Sequence, residues 1–184
     1  PTSLVFFVQP GNITAGNPIP PVVVHVLNGL GEVISGFNGS VGLELIGGTA
    51  GSALIGTDTV NAVNGIATFS GLTVNKAGTT YRLVAGVSGA PTVQSNQFTV
   101  LPAPAATVTV VGGTGQSAPP STALTDSIKV RVQDQFGFDV VGATVNFAVT
   151  AGGGSVSPTS AVTDATGRAA TRWTIGASGT QTVS

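Results

Sequence analysis

The chain has 184 residues, enough for two β-sandwich domains of about 100 residues each. Charged residues make up only 7% of it, the net charge is −1, and there is one His and no Cys. This inventory excludes thiolate chemistry and disulfide staples, provides no basic stripe for nucleic acid, and gives little attraction to anionic lipid. The surface must be built from Thr, Ser, Asn, Gln and Gly, which makes it neutral and hydrogen-bonding. No apolar run approaches the roughly 20 residues that span a bilayer. The chain opens on Pro1 with neither Met nor a signal peptide, and so reads as a processed chain or a segment of a longer one.

Short Val/Ile/Thr/Phe runs separated by Gly, Asn, Asp or Pro predict strands throughout and no helix; the 27 Gly would interrupt one. In the first half the runs fall at 4–8, 21–27, 41–46, 54–60, 66–69, 80–87 and 96–100. Seven strands are the complement of a simple immunoglobulin-type sandwich. Asn28-Gly29 and Asn64-Gly65 mark turns, because both residue types tolerate positive φ. Pro18, Pro20 and Pro21 sit at the entry to the second strand, where a missing N–H does no harm.

A Pro/Ala linker at 101–106 follows, whose alternating prolines favour an extended, semi-rigid path. It divides a domain at 1–100 from a second at 107–184. There the runs fall at 107–111, 126–133, 143–150, 154–157, 160–163, 167–175 and 179–184. Ile128, Val130 and Val132 alternate with Lys129, Arg131 and Gln133, which puts one set inside and the other outside. By the same rule Ala169, Thr171 and Trp173 share a face, and Trp173 is the expected large core residue of this half, as Phe69 is of the first.

The two halves repeat one pattern. Asn28-Gly29-Leu30-Gly31 answers to Asp134-Gln135-Phe136-Gly137, Asn64-Gly65 to Thr166-Gly167, and Gly78-Thr79 to Gly179-Thr180. Tandem copies of one all-β unit suggest a spacer or display module. The second copy reaches Ser184 inside the strand equivalent to 81–87. It is expected to lack its last strand, which residues beyond Ser184 or a strand from another subunit would supply.

Residues capable of chemistry are few. His25 lies within a Val-rich strand, with no Gly-x-Ser-x-Gly elbow and no evident acid partner for a catalytic triad. The acids Glu32, Glu44, Asp58, Asp126, Asp134, Asp139 and Asp164 are scattered, and Glu44 is expected to face solvent. Asp134, Asp139 and Asp164 are the candidates for a calcium site at the inter-strand loops, against the plainer reading that Asp134 and Asp164 build Asx turns. The glycine-rich loops lack phosphate-loop spacing. Asn12 and Asn38 fit the N-glycosylation sequon. Tyr81 and Trp173 are the two side chains weighed as sugar-stacking platforms, though both alternate like core residues. No catalytic residue, cofactor or firm metal site is expected.

The segment Val130-Arg131-Val132-Gln133-Asp134-Gln135-Phe136-Gly137, then Val141-Gly142-Ala143-Thr144-Val145-Asn146-Phe147, resembles the bacterial immunoglobulin-like repeats of the invasin/intimin group. So do Gly153-Gly154-Ser155-Val156-Ser157-Pro158 and Thr163-Asp164-Ala165-Thr166-Gly167-Arg168-Ala169. Phe138-Asp139 stands where Asn-Pro is commoner in those repeats. The first half is similar to a related repeat class of large bacterial surface proteins through Phe7-Val8-Gln9-Pro10, Gly65-Ile66-Ala67-Thr68-Phe69, Ala77-Gly78-Thr79-Thr80-Tyr81 and Ser95-Asn96-Gln97-Phe98. The resemblance implies two tandem immunoglobulin-like sandwiches placed outside the cytoplasm, in arrays that serve as stalks, and it transfers no catalytic residue.

The expectation is therefore a non-enzymatic extracellular structural and adhesive module. It would act as stalk, spacer or filament-forming unit of a bacterial surface protein. Neighbouring immunoglobulin-like domains, identical subunits, or a surface receptor or glycan are its expected partners. The alternatives are a phage virion decoration or fibre domain and a carbohydrate-binding accessory of a secreted hydrolase.

Overall fold

A computed structural model of the chain describes every residue except Ser178, and among the described residues there is no helix. The chain divides into two compact units, Pro1–Ala103 and Pro104–Ser184.

The first unit contains β1 (Ser3–Val8), β2 (Ile13–Thr14), β3 (Val22–Leu27), β4 (Ser40–Ile46), β5 (Leu54–Ile55), β6 (Thr59–Asn61), β7 (Ile66–Phe69), β8 (Thr73–Val74), β9 (Gly78–Gly86), β10 (Val93–Gln94) and β11 (Phe98–Leu101). One sheet has the order β1-β3-β7. The other has the order β2-β11-β9-β4-β6, with β10 also on β9, and β5 pairs with β8 alone. Period-two alternation places Val22, Val24 and Val26 of β3 inside, with Phe69 beside them. Tyr81, Leu83 and Ala85 of β9 and Phe98 and Val100 of β11 line the inner face of the second sheet. Fully burying an aromatic or aliphatic side chain of this size contributes about 1.5–3 kcal/mol.

Tyr81 anchors the start of β9. Its hydroxyl donates to the Lys76 carbonyl at 2.9 Å and accepts from the Thr49 amide at 3.4 Å. This is the tyrosine corner of immunoglobulin-type sandwiches, in which the phenol reaches a backbone carbonyl a few residues upstream. Gly48, at φ +68°, lies against the ring, and a Cβ there would run into it.

The second unit contains β12 (Ala105–Gly112), β13 (Ile128–Asp134), β14 (Thr144–Asn146), β15 (Val149–Ala151), β16 (Gly154–Ser157), β17 (Ser160–Val162), β18 (Arg168–Ile175) and β19 (Thr182–Val183). Its main sheet has the order β12-β13-β18-β16, while β14 pairs with β17 and β15 with β19. Buried in this unit are Val130, Phe147, Val156 and Ala169, with Val145, Val149, Ala161, Trp173 and Val183 partly buried against them, and also Leu124, Ile128 and Val132.

One loop is built three times, at Asn28, Asp134 and Asp164. The Asn28 side-chain oxygen accepts from the amides of Leu30 and Glu32, and the Asp134 carboxylate accepts from those of Phe136 and Phe138. The backbone bonds match as well. The Asn28 amide donates to the Glu32 carbonyl and the Asp134 amide to that of Phe138, each at 2.9 Å, and Gly31 and Gly137 take positive φ. An Asx side chain four residues before the loop closes supplies the acceptor in both halves.

The structure departs from the sequence reading in several places. The run at 54–60 breaks into β5 and β6 at Gly56, whose φ is +119°. The run at 143–150 breaks into β14 and β15 where the chain changes partner: the Phe147 amide still bonds the Thr159 carbonyl in register with β17, and the Ala148 amide bonds the Ser184 carbonyl next to β19. The connection between units is shorter than 101–106: Leu101 still pairs with Thr14, and Ala105 already pairs with Asp134. Trp173 lies on the inward side but is only half-buried, and its buried Nε1–H has no acceptor. Its neighbour Thr171 is the fully buried residue, donating its hydroxyl to the Pro158 carbonyl at 2.7 Å.

Candidate functional site

His25 is the first residue to place. It projects from the outer face of the β1-β3-β7 sheet and stacks on Phe7, with ring centroids 4.3 Å apart and 13° between planes. Register puts it between Val5 of β1 and Ile66 of β7. Its neighbours are thus apolar, with no nucleophile or acid hydrogen-bonded to it among the described residues. Phe7 is 67% exposed. It is the exposed aromatic that sequence reasoning overlooked, while Tyr81, which was weighed for sugar stacking, is fully buried. Two adjacent phenylalanines in β1, Phe6 and Phe7, must face opposite ways; that period-two rule was the available signal.

The three aspartates weighed for calcium each have other work. Asp134 is buried and holds the loop described above. Asp139 accepts two bonds from Arg131, Nε to Oδ1 at 2.6 Å and Nη2 to Oδ2 at 2.9 Å. This fork holds the Asp139 carboxyl below the usual carboxylate range, helped by the charges of Arg131 and Arg168, and it raises the Arg131 guanidinium. Asp164 is lowered too, first by the Thr166 hydroxyl and then by the amides of Arg168 and Thr166, all on Oδ1. Among the described residues no three His, Cys, Asp or Glu side chains gather as metal ligands. Glu44 is exposed on β4, opposite Val84 of β9.

Asn12 and Asn38 are exposed, but each lends its side-chain oxygen to a backbone amide: that of Thr99 at 2.8 Å for Asn12, and that of Asn64 at 3.0 Å for Asn38. They join distant segments of the first unit whether or not they carry a glycan.

Two larger features emerge only from the fold. The first is a cavity of about 360 Å³ in the second unit, lined by Val108, Val130, Val132, Val145, Phe147 and Ser184 among others. It follows β14 where that strand has β17 as its ladder partner. In the first unit β9 pairs with β4 over five positions, whereas β19 pairs with β15 over two. The second feature is cationic. The low charge of the chain predicts no basic stripe, yet Lys129, Arg131, Arg168 and Arg172 all lie on the outward side of β13 and β18.

No protein-family model matches the chain, and no curated protein matches it. Solved structures do. The chain is similar to the D0-D1 domain of intimin, at 17% identity and a TM-score of 0.38, covering 98% of this chain and 87% of that one. It is similar to invasin, a bacterial integrin-binding protein, at 18% identity and a TM-score of 0.42, and to the Escherichia coli adhesin FdeC at 16% and 0.47. It covers 34% of the invasin chain and 55% of the FdeC chain, while 98% and 95% of its own length is matched. The chain is all-β with an immunoglobulin-like sandwich architecture, and it is similar to solved structures that include bacterial intimin and invasin.

Proposed function

We propose that the chain is a non-enzymatic, extracellular module of a bacterial surface protein, acting as stalk, spacer or filament-forming unit and contributing to adhesion. The observation that carries this reading is how the reactive inventory is spent. Asp134 and Asp164 hold turns, Asp139 is forked by Arg131, and His25 lies among apolar neighbours. What is left for partners is the sheet faces. The test is adhesion by beads coated with residues 1–184 to cells and to immobilised surface glycans. Adhesion above that of beads carrying an unrelated β-sandwich supports the reading. Equal adhesion removes the adhesive part and leaves the spacer.

The cavity along β14, which reaches Ser184, supports one further element, an extended strand from a neighbouring domain or an identical subunit in the place of the last strand. In the first unit Leu83 and Ala85 of β9, with Phe98 and Val100 of β11, fill the core beside β4. A peptide copying residues 95–100, the strand the second unit is expected to lack, should raise the unfolding temperature of the second unit and leave the first unchanged. The accessory reading, in which the chain binds neutral sugar, has Phe7 as the one exposed ring among the described residues, and F7A tests it directly.

A further inference from the structure

We propose that the outer face of β13 and β18 binds a polyanionic glycan, a sulfated or carboxylated polysaccharide. Alternation turns Val130, Val132, Ala169 and Thr171 inward, and Lys129, Arg131, Arg168 and Arg172 outward. Those four are the majority of the six Lys and Arg in the whole chain, gathered on one face of two adjacent strands. Register sets Arg131 directly opposite Arg168 and Lys129 opposite Ala170.

Like charges directly opposite across a ladder repel. Asp139 answers Arg131 with its two-pronged contact. Asp164 lies close enough to Arg168 for their charges to interact, but its Oδ1 is already taken by one hydroxyl and two amides. No hydrogen bond or ion pair engages the Lys129 ammonium or the Arg168 guanidinium among the described residues. These two side chains line an open depression of about 370 Å³ with Asp164, Thr166, Ala169 and Ala170. The face thus presents two free cations with small neighbours around them, so an anionic group can approach both.

The class of polyanion follows from what accompanies the charges. Thr109 stands beside Arg131 on β12, and Ser157 beside Arg172 on β16. Hydroxyls interspersed with cations suit a sugar chain bearing spaced acid groups. Outward residues two apart on a strand are roughly 7 Å apart, a spacing set by the strand rise. The outward residues of β13 and β18 include no aromatic ring on which bases would stack, which is the platform single-stranded nucleic acid requires. The corresponding face of the first unit is apolar, with Val5, His25 and Ile66 in a row. The property therefore belongs to the second unit.

This inference deepens the adhesive reading and rests on it for the kind of surface involved; the binding itself is tested on the chain alone. The experiment titrates a fluorescent heparin oligosaccharide with residues 1–184 at low and physiological salt, with neutral dextran and a single-stranded DNA oligonucleotide as competitors. Expected are saturable binding that weakens with salt, no competition by dextran, and poor competition by DNA. Expected also is a loss of at least ~10-fold in K129Q/R168Q, with K76Q within ~2-fold of the parent. Circular dichroism confirms that each variant is folded, and single K129Q and R168Q variants replace the double one if it is not. Absence of saturable binding, binding indifferent to Lys129 and Arg168, or an equal loss in K76Q would overturn the proposal. DNA displacing heparin at equal concentration would overturn the choice of a glycan. Beads that adhere to cells without binding heparin would overturn this inference and leave the adhesive reading standing.

Discussion

The two units share a loop and the order of the first three strands of one sheet, β1-β3-β7 and β12-β13-β18, yet they hold together differently. In the first unit, large side chains are wholly buried: Phe69, Tyr81, Leu83, Phe98 and a set of valines, with Leu72 from the connection between β7 and β8. In the second, Val132 alone ranks among the largest fully buried side chains of the described residues, and Trp173 is half-buried with an orphaned Nε1–H. The sandwich pattern tolerates both. Strand order comes from backbone pairing and alternation, while stability comes from how completely the inner faces close.

The largest test of this contrast is a pair of truncations. Phe69→Ala should cost about 3–5 kcal/mol and unfold the first unit at moderate denaturant, because its ring is fully buried. Trp173→Ala should cost the second unit less, about 2 kcal/mol, since its ring is only partly removed from water. Urea unfolding followed separately in each unit decides the matter, and equal losses would break the contrast. Next in size is Tyr81→Phe. It keeps the ring but removes the bonds to Lys76 and Thr49, and should lower the first transition by about 1–2 kcal/mol.

The smallest expected effect depends on pH. The carboxyls of Asp139 and Asp164, both in the second unit, are held below their ordinary value by hydrogen bonds and by nearby cations. The folded unit therefore binds those protons less readily than the unfolded chain. The stabilisation is complete above the unfolded value of about 3.9 and fades as the pH falls through the folded values. Thermal melts between pH 6 and pH 2 should show the second unit losing stability over the acid end of that range, and D139N/D164N should flatten the slope. A slope unchanged by the double substitution would show that the Arg131 fork and the Thr166 turn contribute nothing.

Much of the fold was legible, for identifiable reasons. Val22–Leu27 and Ile128–Asp134 carry clean alternation, and Asn64 and Gly65 take positive φ of 52° and 81°, as their turn chemistry demands. Asn28 was legible as a turn residue, although its side-chain oxygen and not its own φ does the work. The two-residue strands β2, β8 and β10 were not legible, because two residues carry no period. Trp173 was read on the correct side, but its degree of burial depends on neighbours far away in sequence. The cationic face was hidden for a related reason: composition counts six cations, and only the pairing of β13 with β18 makes four of them neighbours.

One pairing in the first unit has a mechanical meaning. β2, near the start of that unit, runs parallel to β11 at its end, with Ile13 beside Val100 and Thr14 beside Leu101, and the Ala15 amide closes on the Leu101 carbonyl at 2.9 Å. Tension applied to the two ends of such a unit pulls parallel neighbours in opposite directions along their length. The hydrogen bonds between them are then loaded together in shear, whereas an antiparallel hairpin pulled from its open end breaks one bond at a time. In the second unit β12 has antiparallel β13 as its ladder partner among the described residues. Under a steady pull, the expected weak link is the second unit, and the first should be the last to extend.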